Sequence, residues 1–188
     1  MTQSDTQAAQ PEVALIVGGG PGISASCARL FADNGMRVAV AARNPDKPVL
    51  QALEKTHGVR RYTCDAAEPA SVQRLFEEVT RDLGTPTLVL HNIDGRSAGI
   101  LRKPITEADP ALALDVLRNA AFSAYLVGQH AARLMLDQQA NANGTKGTII
   151  FTNASAALKG FPLSAAFAMS CQAKAGLAQS MARELMPQ

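Results

Sequence analysis

A short apolar run that leads directly into a glycine-rich turn constrains the fold more than any other feature of the sequence. Val13–Val17 is wholly apolar, and the segment GGGPG follows it at residues 18–22. An uninterrupted apolar run of this length is typical of a strand covered on both faces, as in a parallel sheet. Ile23–Asn34 then carries apolar and small residues at helical spacing. The combination predicts a strand, a tight turn and a helix, which together begin a βαβ unit.

Strand-like and helix-like segments continue to alternate along the rest of the chain. The predicted strands are Val13–Val17, Arg37–Ala42, Arg60–Thr63, Thr87–His91 and Thr148–Thr152. The predicted helices are Ile23–Asn34, a part of Pro48–His57, Pro69–Leu83, a long fourth helix opened by Asp109-Pro110 and running to about Gln138, and a fifth from Ser164 to Met186. Right-handed crossovers between such strands predict an α/β fold: a Rossmann-like, doubly wound parallel sheet in the order 3-2-1-4-5, with helices on both faces.

Length and composition restrict the class of protein further. A chain of 188 residues suits one domain, so we expect a flexible tail over residues 1–11 and a single NAD(P)-binding Rossmann domain over residues 12–188. The formal net charge of +2 does not indicate a nucleic-acid partner, and no stretch is long and apolar enough for a membrane span. The three cysteines are irregularly spaced, which fits neither a disulfide framework nor a metal site. We therefore expect a cytoplasmic location.

The glycine-rich turn is the strongest candidate for a binding site. In a doubly wound sheet the ligand lies beyond the carboxyl ends of the strands, where the strand order reverses. Gly18 permits a tight turn, Gly20 and Gly22 follow it, and the helix that opens at Ile23 directs its amides toward negative charge. Most glycine clusters are only turns, but the position between a buried strand and a helix favours a nucleotide. The spacing fits Gly-xxx-Gly-Ile and not GxGxxG.

Residues after the second, third and fourth strands indicate which nucleotide binds. NAD sites usually have an acid at the end of the second strand, whereas this chain has Arg43, whose charge suits the 2′-phosphate of NADP. We therefore favour NADP(H) over NAD(H), although Arg43 is also explicable as a solvated surface residue. Asp65, beside Ala66, is either an acceptor for the adenine amine or a turn residue. Asn92 follows the fourth strand and completes the predicted cofactor set.

Five segments together resemble the short-chain dehydrogenase/reductase family in order and spacing. They are ALIVGGGPGIS, VAVAARN, CDAAEPASVQRLFEEV, LVLHNIDG and SMARELMP. The resemblance runs from about Val13 to Pro187. It implies an NAD(P)-dependent oxidoreductase, commonly dimeric or tetrameric, that moves hydride between nicotinamide and an alcohol or carbonyl.

The cofactor motif of the family is carried over with two changes. Its Gly-xxx-Gly-Ile-Gly pattern matches Gly18, Gly22 and Ile23, but Ser24 stands at its third glycine, which implies a less close approach of helix and strand. Its adenine-side Asp matches Asp65. Of its Asn-Asn-Ala-Gly only the second Asn is kept, at Asn92, and an acid, Asp94, stands at its glycine.

The catalytic motif of the family is changed at every position. The resemblance assigns its Tyr to Phe167, its Lys to Cys171, its Ser to Ala154 and its fourth-helix Asn to Ala120. Phenylalanine has no proton to give, and a thiol has no fixed positive charge with which to lower the pKa of a tyrosine. The family's usual proton relay is therefore not expected to operate.

Polar residues near the lost positions suggest a rearranged site. Ser155 and Lys174 are the candidate catalytic residues, with Ser164 three residues before Phe167 on the same helical face. The alternatives are capping roles for the serines and a surface role for Lys174.

The end of the sequence and two small-residue helices bear on assembly. Family members continue with two further strands and a substrate-covering segment, so we expect the fifth strand to be a sheet edge and cannot assign a substrate. Alanine-rich faces within residues 111–132 and 165–182 favour a homodimer or homotetramer through the fourth and fifth helices.

Three functions stay open: an oxidoreductase with an atypical site, a catalytically silent NADP-binding sensor or oligomer partner, and a truncated or diverged copy that neither binds tightly nor turns over.

Overall fold

Five parallel strands form one sheet in the order β3-β2-β1-β4-β5 in the computed structural model, which describes residues 11–141 and 143–186. The strands are β1 (Val13–Val17), β2 (Arg37–Ala42), β3 (Arg60–Thr63), β4 (Leu88–His91) and β5 (Thr148–Phe151). Every neighbouring pair is parallel. The predicted α/β class and strand order are confirmed. Residues 1–10 of the predicted tail lie outside the described residues.

Six α-helices in the described part of the chain connect and cover these strands. They are α1 (Ile23–Asp33), α2 (Pro48–His57), α3 (Pro69–Leu83), α4 (Pro110–Val116), α5 (Ser123–Leu136) and α6 (Ala165–Leu185). The predicted bounds differ by one or two residues at several ends, where helices and strands fray. Asp109 caps α4 as its position suggested, because its side chain accepts a hydrogen bond from the amide of Ala111 at 2.8 Å.

The predicted fourth helix differs in one internal respect. A π-helical turn, Leu117–Phe122, joins α4 to α5 without a break in the chain direction. Such turns widen the backbone by one residue and leave no signature in the apolar periodicity. The prediction of one uninterrupted α-helix from Pro110 is therefore wrong in its middle.

Two apolar layers hold the helices on opposite faces of the sheet. One layer packs alternate residues of β1, such as Leu15, against α3 and α5, and the other packs Ile16 against α1 and α2. All five residues of β1 are buried, which accounts for its uninterrupted apolar sequence.

Strand β5 is the less covered side of the sheet. It pairs only with β4 among the described residues, and Ile150 is 41% exposed. Within the same part of the chain, no helix has the length and apolar character needed to cross a membrane.

Candidate functional site

The turn after β1 has a shape that only glycine permits. Gly18 has a φ of +106°, and a Cβ atom there would lie 2.2 Å from the carbonyl oxygen of Asn92. The amides of Gly18 and Gly19 both donate to the carbonyl oxygen of Ala41 at 2.9 Å. The turn is therefore fixed against β2 on one side and against the end of β4 on the other.

The start of α1 offers donors for an anion. The amides of Ile23, Ser24 and Ala25 have no hydrogen-bond partner among the described residues, as is usual for the first turn of a helix. A Cβ at Gly20 or Gly22 would meet no atom within 4 Å, so open space adjoins the turn. Unpaired amides beside open space fit the pyrophosphate of a dinucleotide.

Ser24, at the family's third glycine, joins the turn to two other elements. Its side chain is buried, and its hydroxyl donates to the carbonyl oxygen of Gly18 at 2.7 Å. The same hydroxyl accepts a hydrogen bond from the Asn92 amide, also at 2.7 Å. Helix and strand are thus connected through a side chain, a contact that glycine cannot make.

A cleft of about 600 Å³ lies at the carboxyl ends of β1 to β4. Its walls include five of the eight predicted cofactor residues: Gly18, Arg43, Asp65, Ala66 and Asn92. Gly20 and Gly22 belong to the same turn, and Ile23 lines a smaller neighbouring pocket. The volume lies within the range of small-molecule sites, roughly 300–1,000 Å³.

The two charged cofactor candidates differ in their environment. Arg43 is exposed at the end of β2 and has no hydrogen-bond or ion-pair partner among residues 11–141 and 143–186. Asp65 is half-buried, and its Oδ1 accepts a hydrogen bond from the amide of Ala67 at 3.0 Å. Arg43 is thus available to a ligand, whereas one carboxylate oxygen of Asp65 already accepts a hydrogen bond within its own turn.

Lys47 is a cleft residue that the sequence did not single out. Its Nζ donates to the carbonyl oxygen of Gly19 at 2.8 Å, which brings a second cation to the glycine turn. Lys47 stands one residue before α2, four residues after Arg43. No motif marks it, because a lysine before a helix is common on protein surfaces.

A pocket of about 210 Å³ adjoins the cleft and shares Asn92, Asp94 and Arg96 with it. Three of the four positions that the resemblance assigned to the catalytic motif line this pocket: Ala154, Phe167 and Cys171. The fourth, Ala120, is buried in the π-helical turn, and a Cβ on Gly95 would lie 2.7 Å from the Ala120 Cβ. Three of the four changed positions therefore surround one place beside the cleft.

Arg96 covers the ring at the tyrosine position. Its guanidinium carbon lies 3.8 Å from the centroid of the Phe167 ring, a cation–π contact. Two guanidinium nitrogens donate to the carboxylate of Asp94, each at 2.6 Å. This pairing lowers the pKa of Asp94. The acid at the family's glycine position therefore stays ionised, and the positive charge of Arg96 balances its negative charge. Neither Arg96 nor Asp94 was a candidate site residue from the sequence, although two residues this close in the chain can form an ion pair.

Lys174 is buried and already bonded. It is 3% exposed, and its Nζ donates to the carbonyl oxygens of Ile93 at 3.2 Å and Thr152 at 3.1 Å. Burial lowers the pKa of Lys174. The hydroxyl of Thr152 donates in turn to Oδ1 of Asn92 at 2.8 Å. Lys174 therefore connects α6 to the ends of β4 and β5, and the residue also lines the smaller pocket.

The two serines of the rearranged catalytic set lie elsewhere. Ser155 is exposed at the start of a 3₁₀ turn, and Ser164 donates its hydroxyl hydrogen to the carbonyl oxygen of Phe161 at 2.7 Å. Ser164 lines a different pocket from Lys174, and Ser155 lines neither of the two. The structure does not bring these three residues around a common cavity.

His91, the residue before Asn92, is fully buried between β4 and α5. Its Nε2 lies 2.8 Å from the hydroxyl of Ser123, which itself donates to the carbonyl oxygen of Asn119 at 2.5 Å. The Ser123 hydrogen is thus used, and the His91 ring must donate from Nε2. Nδ1 is buried with no partner among the described residues. Burial lowers the pKa of His91 to about 3, so the ring is neutral at ordinary pH.

Known proteins are similar to this chain over most of its length. A family model described as Enoyl-(Acyl carrier protein) reductase matches residues 18–188. The chain is 28% identical over 178 residues to the (21S)-21-acetoxyl-apo-melianone synthase SDR of Melia azedarach, covering 93% of this chain and 61% of that protein. It is 26% identical over 174 residues to the 3-oxoacyl-[acyl-carrier-protein] reductase of Bos taurus, covering 93% and 69%.

A solved structure agrees with the fold. The short-chain dehydrogenase from Rhodopseudomonas palustris superposes with a TM-score of 0.80 at 30% identity, over 94% of this chain and 79% of that one. The chain therefore spans between 61% and 79% of the length of the three proteins compared here.

Proposed function

The chain belongs to the short-chain dehydrogenase/reductase family, whose members are NAD(P)-dependent oxidoreductases, and on that premise we propose that it binds NADP(H) in the cleft beyond β1 to β4. The observation that carries the proposal is the turn at Gly18, whose φ of +106° and tight contact with Asn92 form a backbone bend beside the unpaired amides of α1. A bend of this kind lets a pyrophosphate approach the amides without a side chain in the way.

Arg43 supports the choice of NADP(H) over NAD(H). It is an exposed cation in the cleft at the end of β2 with no partner among the described residues, at a position where an acid would favour the ribose 2′-hydroxyl of NAD. Lys47 adds a second positive charge near the glycine turn. A planar guanidinium can donate two parallel hydrogen bonds to a phosphate, which is a stronger contact than a hydroxyl can make.

We further propose that this chain holds the cofactor without the family's proton relay. Bound NADPH supplies a hydride, but reduction of a carbonyl also needs a proton at the oxygen. Phe167 has none to give, its ring face is covered by Arg96, and Cys171 has no fixed positive charge. A positioned general acid contributes about 10²–10⁴ in rate, so turnover without one is slow. The protein then acts as a cofactor-binding sensor or oligomer partner.

One observation favours a second candidate, an oxidoreductase with a rearranged site. Lys174 borders the pocket that contains Phe167 and Cys171, so it brings a cation close to the place of the missing lysine. Against this, two of its three N–H groups are engaged by backbone carbonyls, and its side chain is almost fully buried. Ser155, its proposed partner, does not line the same pocket.

NADPH oxidation against a panel of aldehydes and ketones separates the two candidates. We expect the natural chain to show negligible turnover and the Phe167→Tyr, Cys171→Lys double variant to gain it. Turnover by the natural chain that Lys174→Met abolishes even at saturating NADPH would support the rearranged site instead. Thermal unfolding of each variant with saturating NADPH controls for loss of the fold.

We also propose a cytoplasmic homodimer or homotetramer that associates through α5 and α6. Support for association comes from a groove of about 310 Å³ between these helices, lined by apolar residues that include Leu177 and Met181, with Tyr125 46% exposed at its side. Support for the location comes from three cysteines that form no disulfide. Sedimentation of Met181→Glu should show monomers where the natural chain associates, and a natural chain that is monomeric at micromolar concentration would contradict the assembly.

A further inference from the structure

A third pocket shares Arg96 with the cleft and is lined by none of the predicted cofactor residues. It lies between the segment from Arg96 to Ala113 and the start of α6, and its volume is about 280 Å³. Most of its wall is apolar, with Ile100, Ala166, Phe167 and Met169 among its members. Arg96 and Phe167 also line the smaller pocket beside the cleft, so the cavities meet at this pair.

All the charged residues that line this third pocket are positively charged. Arg96, Arg102 and Lys103 line it, and no Asp or Glu does. Arg102 and Lys103 have no hydrogen-bond or ion-pair partner in the part of the chain that the structure describes. Of the acids close to this segment in the chain, Asp109 caps α4, Asp94 pairs with Arg96, and Glu107 does not line the pocket. An apolar cavity with two unpaired cations at its rim is complementary to an apolar molecule that carries an anionic group.

The backbone of the pocket is also unusual. Arg102 has a φ of +54° and Leu163 a φ of +59°, and these are the two non-glycine residues with positive φ among those described. Both line this pocket, from opposite walls. Left-handed conformations cost free energy for residues other than glycine, and they are found preferentially where a ligand is held.

We infer that this pocket binds a small molecule with an apolar body and one carboxylate or phosphate group. The anionic group contacts Arg102 and Lys103, and the apolar body packs on Ile100, Ala166 and Phe167. Only the identification of this molecule as the substrate rests on the proposed function, because a substrate must react with NADP(H) in the neighbouring cleft. Binding itself requires no cofactor.

Calorimetric titration of the natural chain tests the inference in the absence of cofactor. The probes are octanoate and octyl phosphate, compared with octanol and octyltrimethylammonium of equal chain length. We expect at least one of the two anions to bind about tenfold or more tightly than octanol, as hydrogen bonds to charged groups predict, and the cation not to bind. Stronger binding of octanoate than octyl phosphate indicates a carboxylate ligand, and the reverse order a phosphate. Equal affinity for the anions and octanol would overturn the inference.

Arg102→Gln locates the effect, because Arg102 is exposed and its loss does not disturb the core. The variant should lose about tenfold in affinity for the anion and none for octanol, and Arg102→Lys should retain most of it. Arg29→Gln, an exposed arginine on α1, is the matched control and should bind as the natural chain does. An equal loss of anion affinity in Arg29→Gln, or no loss in Arg102→Gln, would show that the anion does not bind in this pocket. Anion binding without NADPH binding would refute the proposed function and leave this inference standing.

Discussion

The hydroxyl of Ser24 lies 2.7 Å from the carbonyl oxygen of Gly18 and 2.7 Å from the side-chain nitrogen of Asn92. One small side chain thus joins the glycine turn, the first turn of α1 and the end of β4. Thr152 extends the series by donating to Asn92, and Lys174 extends it by donating to the carbonyl of Thr152. Asn92 is the member of this series that lines the proposed cofactor cleft, and Thr152 and Lys174 line the smaller pocket beside it.

Replacing Ser24 by the family's glycine should destabilise the protein. Ser24→Gly removes both hydrogen bonds and adds the backbone freedom of a helical glycine, so the free energy of unfolding should fall by about 2–3 kcal/mol. Ser24→Ala should cost about 1–2 kcal/mol. Urea unfolding measures both, with Ser26→Ala on the exposed side of the same helix as the control. A Ser24→Gly variant as stable as the natural chain would show that the hydroxyl does not stabilise the turn.

Lys174→Met should reduce both stability and cofactor affinity. The variant leaves the carbonyls of Ile93 and Thr152 without their Nζ donor, and relief from burying the charge offsets only part of that cost. We expect a loss of about 1–3 kcal/mol in the free energy of unfolding. Lys146→Met is the matched control, since Lys146 donates to one carbonyl, that of Leu136, at a distance from the site. It should leave NADPH affinity unchanged, and equal losses of affinity in both variants would contradict a role for Lys174 at the site.

The buried His91 should make the stability pH-dependent on the acid side. Its pKa is about 3 in the folded chain and 6.5 ordinarily, so between these values the unfolded chain binds the proton and the folded chain does not. This contribution to stability is complete above about pH 6.5 and is lost as the pH falls toward 3, by about 1.4 kcal/mol per pH unit. Urea unfolding from pH 7 to pH 4 should therefore show a shallower loss in His91→Asn than in the natural chain. His57→Asn is the control at the end of α2, and a slope unchanged in His91→Asn would argue against a neutral buried ring.

Arg43→Asp should reverse the cofactor preference. Loss of a charged donor to the 2′-phosphate, and its replacement by an acid, should weaken NADPH binding at least tenfold, while NADH binding stays the same or improves. Calorimetric titration with both cofactors measures the change, and Arg29→Gln controls for the loss of one positive charge. Equal losses for NADPH and NADH would mean that Arg43 does not face the 2′-position.

The sheet was predictable from the sequence because its signals are local. The wholly apolar β1 indicated a strand covered on both faces, and the glycine segment after it marked the crossover to α1. The π-helical turn around Ala120 left no such signal, since one extra residue per turn hardly alters the apolar pattern of a helix.

The candidate site was predictable only at positions where the backbone of the fold determines which residue type is needed. Gly18 stands out in the sequence because no other residue tolerates its φ, and Arg43 because the end of β2 has a fixed place in this fold. The contact between Arg96 and Phe167 joins residues 71 positions apart in the chain, so it required the tertiary structure. The burial of Lys174 was missed for the same reason, because its two carbonyl partners lie at the ends of other strands.

Calorimetric titration of the natural full chain with NADPH and, in parallel, with NADH tests whether the cleft binds NADP(H). We expect saturable binding of one NADPH per chain at micromolar concentrations and NADH binding about tenfold or more weaker. Gly18→Ala, whose Cβ would lie 2.2 Å from the Asn92 carbonyl oxygen, should lose the binding. The absence of binding by either nucleotide at millimolar concentration, with the chain folded, would contradict the proposed function.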